Sequence, residues 1–218
     1  LPTYVSILQR LVKKGVTQVQ IDEPVLALDL SETQRQGFQK VYETFSKTIP
    51  SIAITLTTYF EALKDNQELA FSLPVSGIHV DAVRGLDEID QVIHLFPENK
   101  HLSLGVVNGR NIWINQYDES LSLIQKATQA LGSDRVIIAS SCSLIHSPVS
   151  LRAEEKVDPE IKQWLSFAEE KVSEISDLAS IINNTASSDV LSKNQASILS
   201  RKTNTKIHNQ KVKDRYQN

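Results

Sequence analysis

The sequence predicts an α/β protein with a parallel sheet, and three observations carry that expectation. Short apolar, β-rich runs alternate with longer stretches of helical period, the pattern of successive βα units. Polar and charged residues collect just after each apolar run. Glycines, prolines and cap-forming residues mark the changes of period. A closed barrel and an open sheet both satisfy this pattern, because both gather the carboxyl ends of their strands on one face, where sites are built.

Taken in order, a helix is expected over 4-14, stopped at Gly15. The first strand, TQVQID at 17-22, runs into Asp22-Glu23-Pro24, where proline forces the chain out of the strand. Ser31 has the character of a cap for a helix over 32-47. The second strand is SIAITLTT at 51-58, followed by a helix over 60-71. The third, GIHVDAV at 77-83, precedes a helix over 87-96; the fourth, HLSLGVV at 101-107, precedes a helix over 119-131 that Gly132 ends. RVIIASS at 135-141 is the fifth strand. Beyond Pro148 the character changes. Residues 158-183 read as one long amphipathic helix, entered through Asp158-Pro159, with Ile161, Trp164, Leu165, Phe167, Ala168, Val172, Ile175 and Leu178 on its apolar face. A further helix is expected at 189-201, and RKTNTKIHNQKVKDRYQN reads as a basic tail of linker type. These changes divide the chain into a partial (β/α) unit at 1-152, the long helix at 153-185, expected to pack on the barrel, and a helical, basic linker at 186-218.

Composition narrows the function classes. With 40% hydrophobic and 22% charged residues and a net charge of -3, the chain has an ordinary globular composition and no electrostatic reason to bind nucleic acid or anionic membrane. No apolar stretch is long enough to span a bilayer, so no membrane partner is expected, and the single cysteine fits a cytoplasmic location. The single cysteine, Cys142, excludes an internal disulfide and a thiolate-rich structural zinc site. The absence of methionine and the opening Leu1-Pro2 read as those of a fragment that starts inside a longer chain.

The candidate site residues are the polar groups at the strand ends: Asp22, Glu23, Asp81, Arg84, Asn108, Cys142 and His146. Asp22 and Glu23 could supply an acid, a base or a metal ligand. The plainer reading is an acidic rim pair that hydrogen-bonds to neighbouring loops. Cys142 and His146, in SSCSLIHSP, could be a nucleophile and base or two ligands, but a lone buried cysteine is more often a small core hydrophobe. His79, between Ile78 and Val80, reads as a satisfied core or helix-facing residue. No glycine-rich phosphate loop is present.

Several stretches, in order, resemble one family. VQIDEPVL (19-26), IHVDAVRG (78-85), LGVVNGRNIW (104-113), SSCSLIHSPVSL (140-151) and KIHNQKV (206-212) are similar to the cobalamin-independent methionine synthases, the 5-methyltetrahydropteroyltriglutamate–homocysteine methyltransferases. The resemblance spans essentially the whole chain, and Cys-Ser-Leu-x-His-Ser-Pro is its most specific part. It implies two (β/α)8 barrels, of which this chain is the later part of the first, followed by long C-terminal helices and the start of the inter-barrel linker. It also implies the parent's activity, methyl transfer from 5-methyltetrahydrofolate polyglutamate to homocysteine, with zinc and homocysteine held in the second barrel.

Laid on this chain by strand order, the family's zinc pattern of His-x-Cys, Glu and Cys falls on Leu56, Thr58, Asp81 and Cys142. Leucine binds no metal and threonine is a poor ligand. The resemblance therefore implies a relic site: no metal or cofactor in this segment, no catalysis by it alone, and Asp22 and Glu23 retained to hold the rim, with the parent's second barrel as partner. Two readings from other classes stand beside it: an autonomous structural or folate-polyglutamate-binding module, and an unrelated barrel enzyme using Asp22, Glu23 and His146. Open sheet edges add the expectation that an isolated fragment self-associates or covers its edges with its C-terminal helices.

Overall fold

The computed structural model describes residues 1–217; Asn218, the last residue of the predicted tail, lies outside them. The chain forms two compact units, residues 1–108 with 124–142, and residues 109–123 with 143 onward.

The first unit is built on a parallel sheet of β1 (Gln18–Asp22), β2 (Ala53–Thr57), β3 (Gly77–Asp81), β4 (His101–Val107) and β5 (Val136–Ser140), ordered β1-β2-β3-β4-β5. All five predicted strands are present, each shortened by no more than two residues at either end. Strictly sequential order, with right-handed crossovers, puts every connecting helix on one face of the sheet, the arrangement of a barrel segment and not of a doubly wound sheet.

Register makes the two faces distinct. Partners across a parallel pair share a face. One row reads Ile21, Leu56, Ile78, Leu102, Val136; the next reads Asp22, Thr57, His79, Ser103, Ile137. Leu56, Ile78 and Leu102 are fully buried, each contributing roughly 1.5–3 kcal/mol of burial. The apolar row belongs to the helix-covered face, so the polar row occupies the opposite face, the inner face of a barrel. Ile137, on that inner face at the edge strand β5, is 49% exposed.

The helices α1 (Pro2–Lys13), α2 (Glu32–Thr48), α3 (Gln67–Ser72), α4 (Ile89–Leu95) and α5 (Tyr117–Leu131) follow the expected order. Gly15 leaves α1 with φ 87°, the left-handed conformation glycine adopts without strain. Ser31 caps α2 in a reciprocal box with Gln34, the Ser31 hydroxyl accepting from the Gln34 amide and the Gln34 side chain from the Ser31 amide. The helix expected over 60-71 begins late. Phe60 has φ 83°, a short 3-10 turn covers Lys64–Asn66, and only then does α3 start. The cause is tertiary, because the Phe60 amide donates to Asp81 Oδ2 and holds the chain out of helical geometry. The helix expected over 87-96 likewise opens as a 3-10 turn, Leu86–Glu88, before α4.

The second unit corrects the expected long helix. In place of one helix over 158-183 there are α6 (Pro159–Lys162) and α7 (Ala168–Ile182). Between them Leu165 pairs with Trp113 in an antiparallel bridge, with Ile114 N donating to Trp164 O and Ser166 N to Ile112 O. Those bonds draw 164–166 into extended pairing, and Trp164, fully buried, anchors the break. The apolar face also differs from the expected one. Leu178 is buried, but Val172 is 57% exposed, and α7 instead buries Lys171 and Glu174. Two more helices, α8 (Val190–Thr203) and α9 (Gln210–Gln217), complete the unit.

Candidate functional site

The strand ends of the first unit hold a connected set of polar groups. Asp22 closes β1 on the inner face. Its Oδ2 accepts from the Tyr59 hydroxyl at 2.8 Å and its Oδ1 from Gln20 Nε2 at 2.7 Å. Burial and the Asp22 carboxylate, with Cys142 adding to the effect, push the Tyr59 phenol up to about 12. Sequence reasoning passed over Tyr59. The signal was available, since Tyr59 stands two residues after Thr57 and continues the same alternation past the end of β2.

Asp81, at the end of β3, is committed to backbone. Its Oδ1 accepts from the amides of Val83 and Arg84, both at 2.9 Å, and its Oδ2 from that of Phe60 at 3.1 Å. One carboxylate thereby fixes the loops that leave β2 and β3. Arg84 points its guanidinium at Glu61 across 3.4 Å in an exposed pair, an interaction of small energetic weight.

His79 lies one row below, buried, with Nδ1 2.9 Å from Ser103 Oγ and Nε2 3.2 Å from the Ser141 carbonyl. A carbonyl only accepts, so Nε2 carries the proton and Nδ1 accepts from Ser103. Burial lowers the His79 pKa, against the opposing pull of Ser141, Asp81 and Asp22. The ring faces the polar side of the sheet and not the helices. Gly105 lets it sit there: a Cβ at Gly105 would stand 2.9 Å from His79 Cε1 and 2.7 Å from Ser141 Cα. Between Asp22 and His79 in the row, the Thr57 hydroxyl is buried with no hydrogen-bond partner among the described residues. Cys142 is buried and Asn108 half-buried in the same unit; His146, exposed, belongs to the second unit.

Glu23 departs from the rim. Its amide donates to Thr57 O at 2.8 Å, but its side chain reaches α2, where Oε1 accepts from the Tyr42 hydroxyl at 3.0 Å. Two adjacent carboxylates therefore serve different neighbourhoods, Asp22 the inner face and Glu23 the helix layer. Burial raises the Glu23 pKa, the Tyr42 bond opposes this, and Asp22 adds to it. Tyr42, also absent from the sequence-based candidates, is itself pushed above the usual phenol range, by burial first and then by Glu23.

This donor set does not fit zinc. Leu56 is apolar and fully buried, and the Thr58 hydroxyl donates to His79 O at 2.8 Å. Both Asp81 oxygens are taken by amides. Among the described residues no group of three or more His, Cys, Asp or Glu side chains is placed to hold a metal. No described helix is long and apolar enough to cross a membrane. What the strand ends can do chemically is hold loops and offer Asp22, Tyr59 and Thr57 to a polar group on the inner face.

Comparison with known proteins is consistent across sequence and structure. A family whose sequence model is described as "Cobalamin-independent synthase, N-terminal domain" matches residues 1–132. The 5-methyltetrahydropteroyltriglutamate–homocysteine methyltransferase of Xylella fastidiosa (strain 9a5c) is 40% identical over 216 residues, which is 99% of this chain and 28% of that protein. The same-named protein of Flavobacterium johnsoniae is 42% identical over 227 aligned residues, covering 99% of this chain and 29% of its own length. The chain thus spans little more than a quarter of these relatives. Among solved structures, a putative vitamin-B12 independent methionine synthase from Listeria monocytogenes superposes with a TM-score of 0.57 at 14% identity, over 84% of this chain and 53% of that one. A B12-independent methionine synthase from Shewanella sp. W3-18-1 gives 0.58 at 13%, over 83% and 54%. At such identities these structures speak to the fold alone.

Proposed function

From the premise that the chain belongs to the cobalamin-independent methionine synthase family, to whose N-terminal domain residues 1–132 correspond, we propose that it serves a methyl transfer whose metal lies elsewhere. In this reading the whole protein carries the methyl group of 5-methyltetrahydropteroyltriglutamate to homocysteine, the reaction its relatives are named for. This segment supplies scaffold and interface to a second, zinc-bearing barrel of the same protein. Its rim residues Asp22, Asp81, Arg84, Asn108 and Cys142 are structural, as is His146, and the cytoplasm is where it works.

The observation that carries this reading is the commitment of the strand-end donors. An unperturbed thiol is mostly protonated at neutral pH, and a Lewis acid is one means of holding it as thiolate. Of the four positions where such an acid would be gripped, Leu56 has no donor atom, Thr58 spends its hydroxyl proton on a carbonyl, and Asp81 spends both oxygens on amides. Freeing Asp81 for a metal would release three loop amides at once. Scaffold use and metal binding compete at that residue.

Elemental analysis tests the proposal, on protein purified without chelators and then offered stoichiometric zinc and dialysed. No retained zinc, and no methyl transfer to homocysteine by this chain alone, are expected. One zinc per chain, lost on Cys142→Ser, would overturn the reading and make the rim a working metal site.

A further inference from the structure

The outward turn of Glu23 leads to a cavity on the helix side of β1. It measures about 300 Å³ and is bounded by Glu23, Val25, Leu30, Gly37, Phe38 and Tyr42, with Gln34 and Val41 completing it. That volume is at the lower end of small-molecule sites, and its walls have their usual makeup, apolar side chains around a single convergent polar group.

Three features set it apart from an incidental surface crevice. Glu23 is its one acidic or basic side chain. Glu23 Oε1 is engaged by the Tyr42 hydroxyl, while Oε2 accepts no hydrogen bond, and the carboxyl forms no ion pair, among the described residues. The Phe38 ring lies nearly parallel to that of Tyr42, with centroids 6.3 Å apart and planes 12° from parallel, so the wall beside the carboxyl is aromatic. The third feature is Gly37, in the middle of α2. Glycine there costs helix stability, yet a Cβ would meet nothing within 4 Å. Packing within this chain does not demand glycine; its effect is to keep the space over the helix open.

We infer that this cavity is a binding site for a small organic cation, an aromatic or branched apolar body carrying an ammonium group that pairs with Glu23 Oε2. The apolar body lies over Gly37 between Phe38 and Val25, replacing water on half-buried apolar walls. The ammonium pairs with Oε2, which no described residue engages, and the aromatic wall favours a cation over a neutral head. Charge selects against carboxylates and phosphates, since Asp22 stands beside Glu23 and the Tyr42 hydroxyl is already donated. No step of the proposed methyl transfer uses this cavity.

The test is a titration of the full chain with phenethylammonium, 2-phenylethanol and 3-phenylpropionate, followed by amide chemical shifts. Saturable shifts at Val25, Gln34, Phe38 and Tyr42 are expected with phenethylammonium, at a Kd on the order of a millimolar and about tenfold tighter than for the alcohol. The carboxylate should not bind. Glu23→Gln should reduce the preference for the cation to within about twofold, because the amide keeps the shape and loses the charge. Gly37→Leu fills the space with a better helix former, so the protein stays folded while all three probes are excluded. Equal affinity for the three probes, shifts centred elsewhere, or binding that survives Gly37→Leu would overturn the proposal. So would a groove indifferent to the amine but occupied by a peptide bearing apolar and basic residues.

Discussion

At the strand ends of the sheet, a buried carboxylate holds loops that leave the same sheet; on α7, buried charges hold a segment about sixty residues earlier in the chain. Asp81 reaches Phe60, Val83 and Arg84. Along one face of α7, Lys171 Nζ donates to the Trp113 carbonyl at 3.0 Å, Glu174 Oε1 accepts from the Asn115 amide at 2.8 Å, and Asp177 accepts from the Tyr117 hydroxyl at 2.8 Å. Residues 171, 174 and 177 recur with the spacing of one helix face. The difference teaches what each unit can afford to lose. A rim carboxylate organises short loops that leave the sheet, whereas the α7 charges, Lys171 fully buried among them, hold the segment leading into α5 beside its backbone pairing with 164–166.

The largest effect is therefore expected at Lys171, fully buried. Lys171→Ala removes a buried cation and leaves its acceptors and Glu174 uncompensated, at a cost of about 3–5 kcal/mol. Lys171→Met, which keeps the stem and drops the charge, should cost less, since apolar replacement of buried charge is often tolerated. Urea midpoints of the two variants decide this. Equal losses would mean that the charge and its hydrogen bonds, and not the stem's packing, hold the 111–117 segment.

Asp81→Asn should come next, at about 1.5–3 kcal/mol. Its amide retains one acceptor oxygen, so either Phe60 or the Val83–Arg84 pair loses its partner. If Phe60 is released, its left-handed backbone loses the hydrogen bond that holds its amide. Faster amide exchange confined to 59–63 would localise the loss; unchanged exchange there would contradict the assignment of Phe60's geometry to Asp81.

Tyr59→Phe should cost about 1 kcal/mol, the worth of one hydrogen bond to a carboxylate that keeps its access to water. In the unchanged protein the Tyr59 phenol should titrate near 12, visible as a late step in the alkaline absorbance change that this substitution removes.

This contrast also explains which parts of the structure were legible in the sequence. The strands were, because residues 54, 56, 78, 102 and 104 are apolar and buried on one face with polar neighbours between them. Helix α2 was, through Ser31. Reading failed where tertiary bonds override local pattern. Phe60 is held out of a helix by a carboxylate 21 residues away, and α7 buries lysine and glutamate, inverting the apolar face that hydropathy assigns to Val172. The site divides the same way. Period-two alternation places Asp22 and Asp81 at strand ends on the polar face, but nothing in Asp-Glu-Pro says that Glu23 turns to Tyr42, 19 residues on.

The smallest effect, and the one that most sharpens the distinction between adjacent carboxylates, is expected at Glu23. Its folded pKa is raised above the ordinary glutamate value, chiefly by burial. A raised folded pKa means that the native state holds the proton more tightly than the unfolded chain does. That contribution is fully present below the unfolded pKa, and it is lost as pH rises from there through the folded value. At neutral pH the carboxylate is thus a mild burden to the fold. Glu23→Gln keeps an acceptor for the Tyr42 hydroxyl and removes the ionisation, so the variant should match or slightly exceed the parent chain in stability at pH 7. Its stability should also fall less steeply as pH rises from about 4.5. Thermal midpoints across pH 4 to 8 check the sign. A variant that loses stability most at pH 7 would mean that the ionised Glu23 has a favourable partner in the fold, and would return it to the structural role that Asp22 and Asp81 fill.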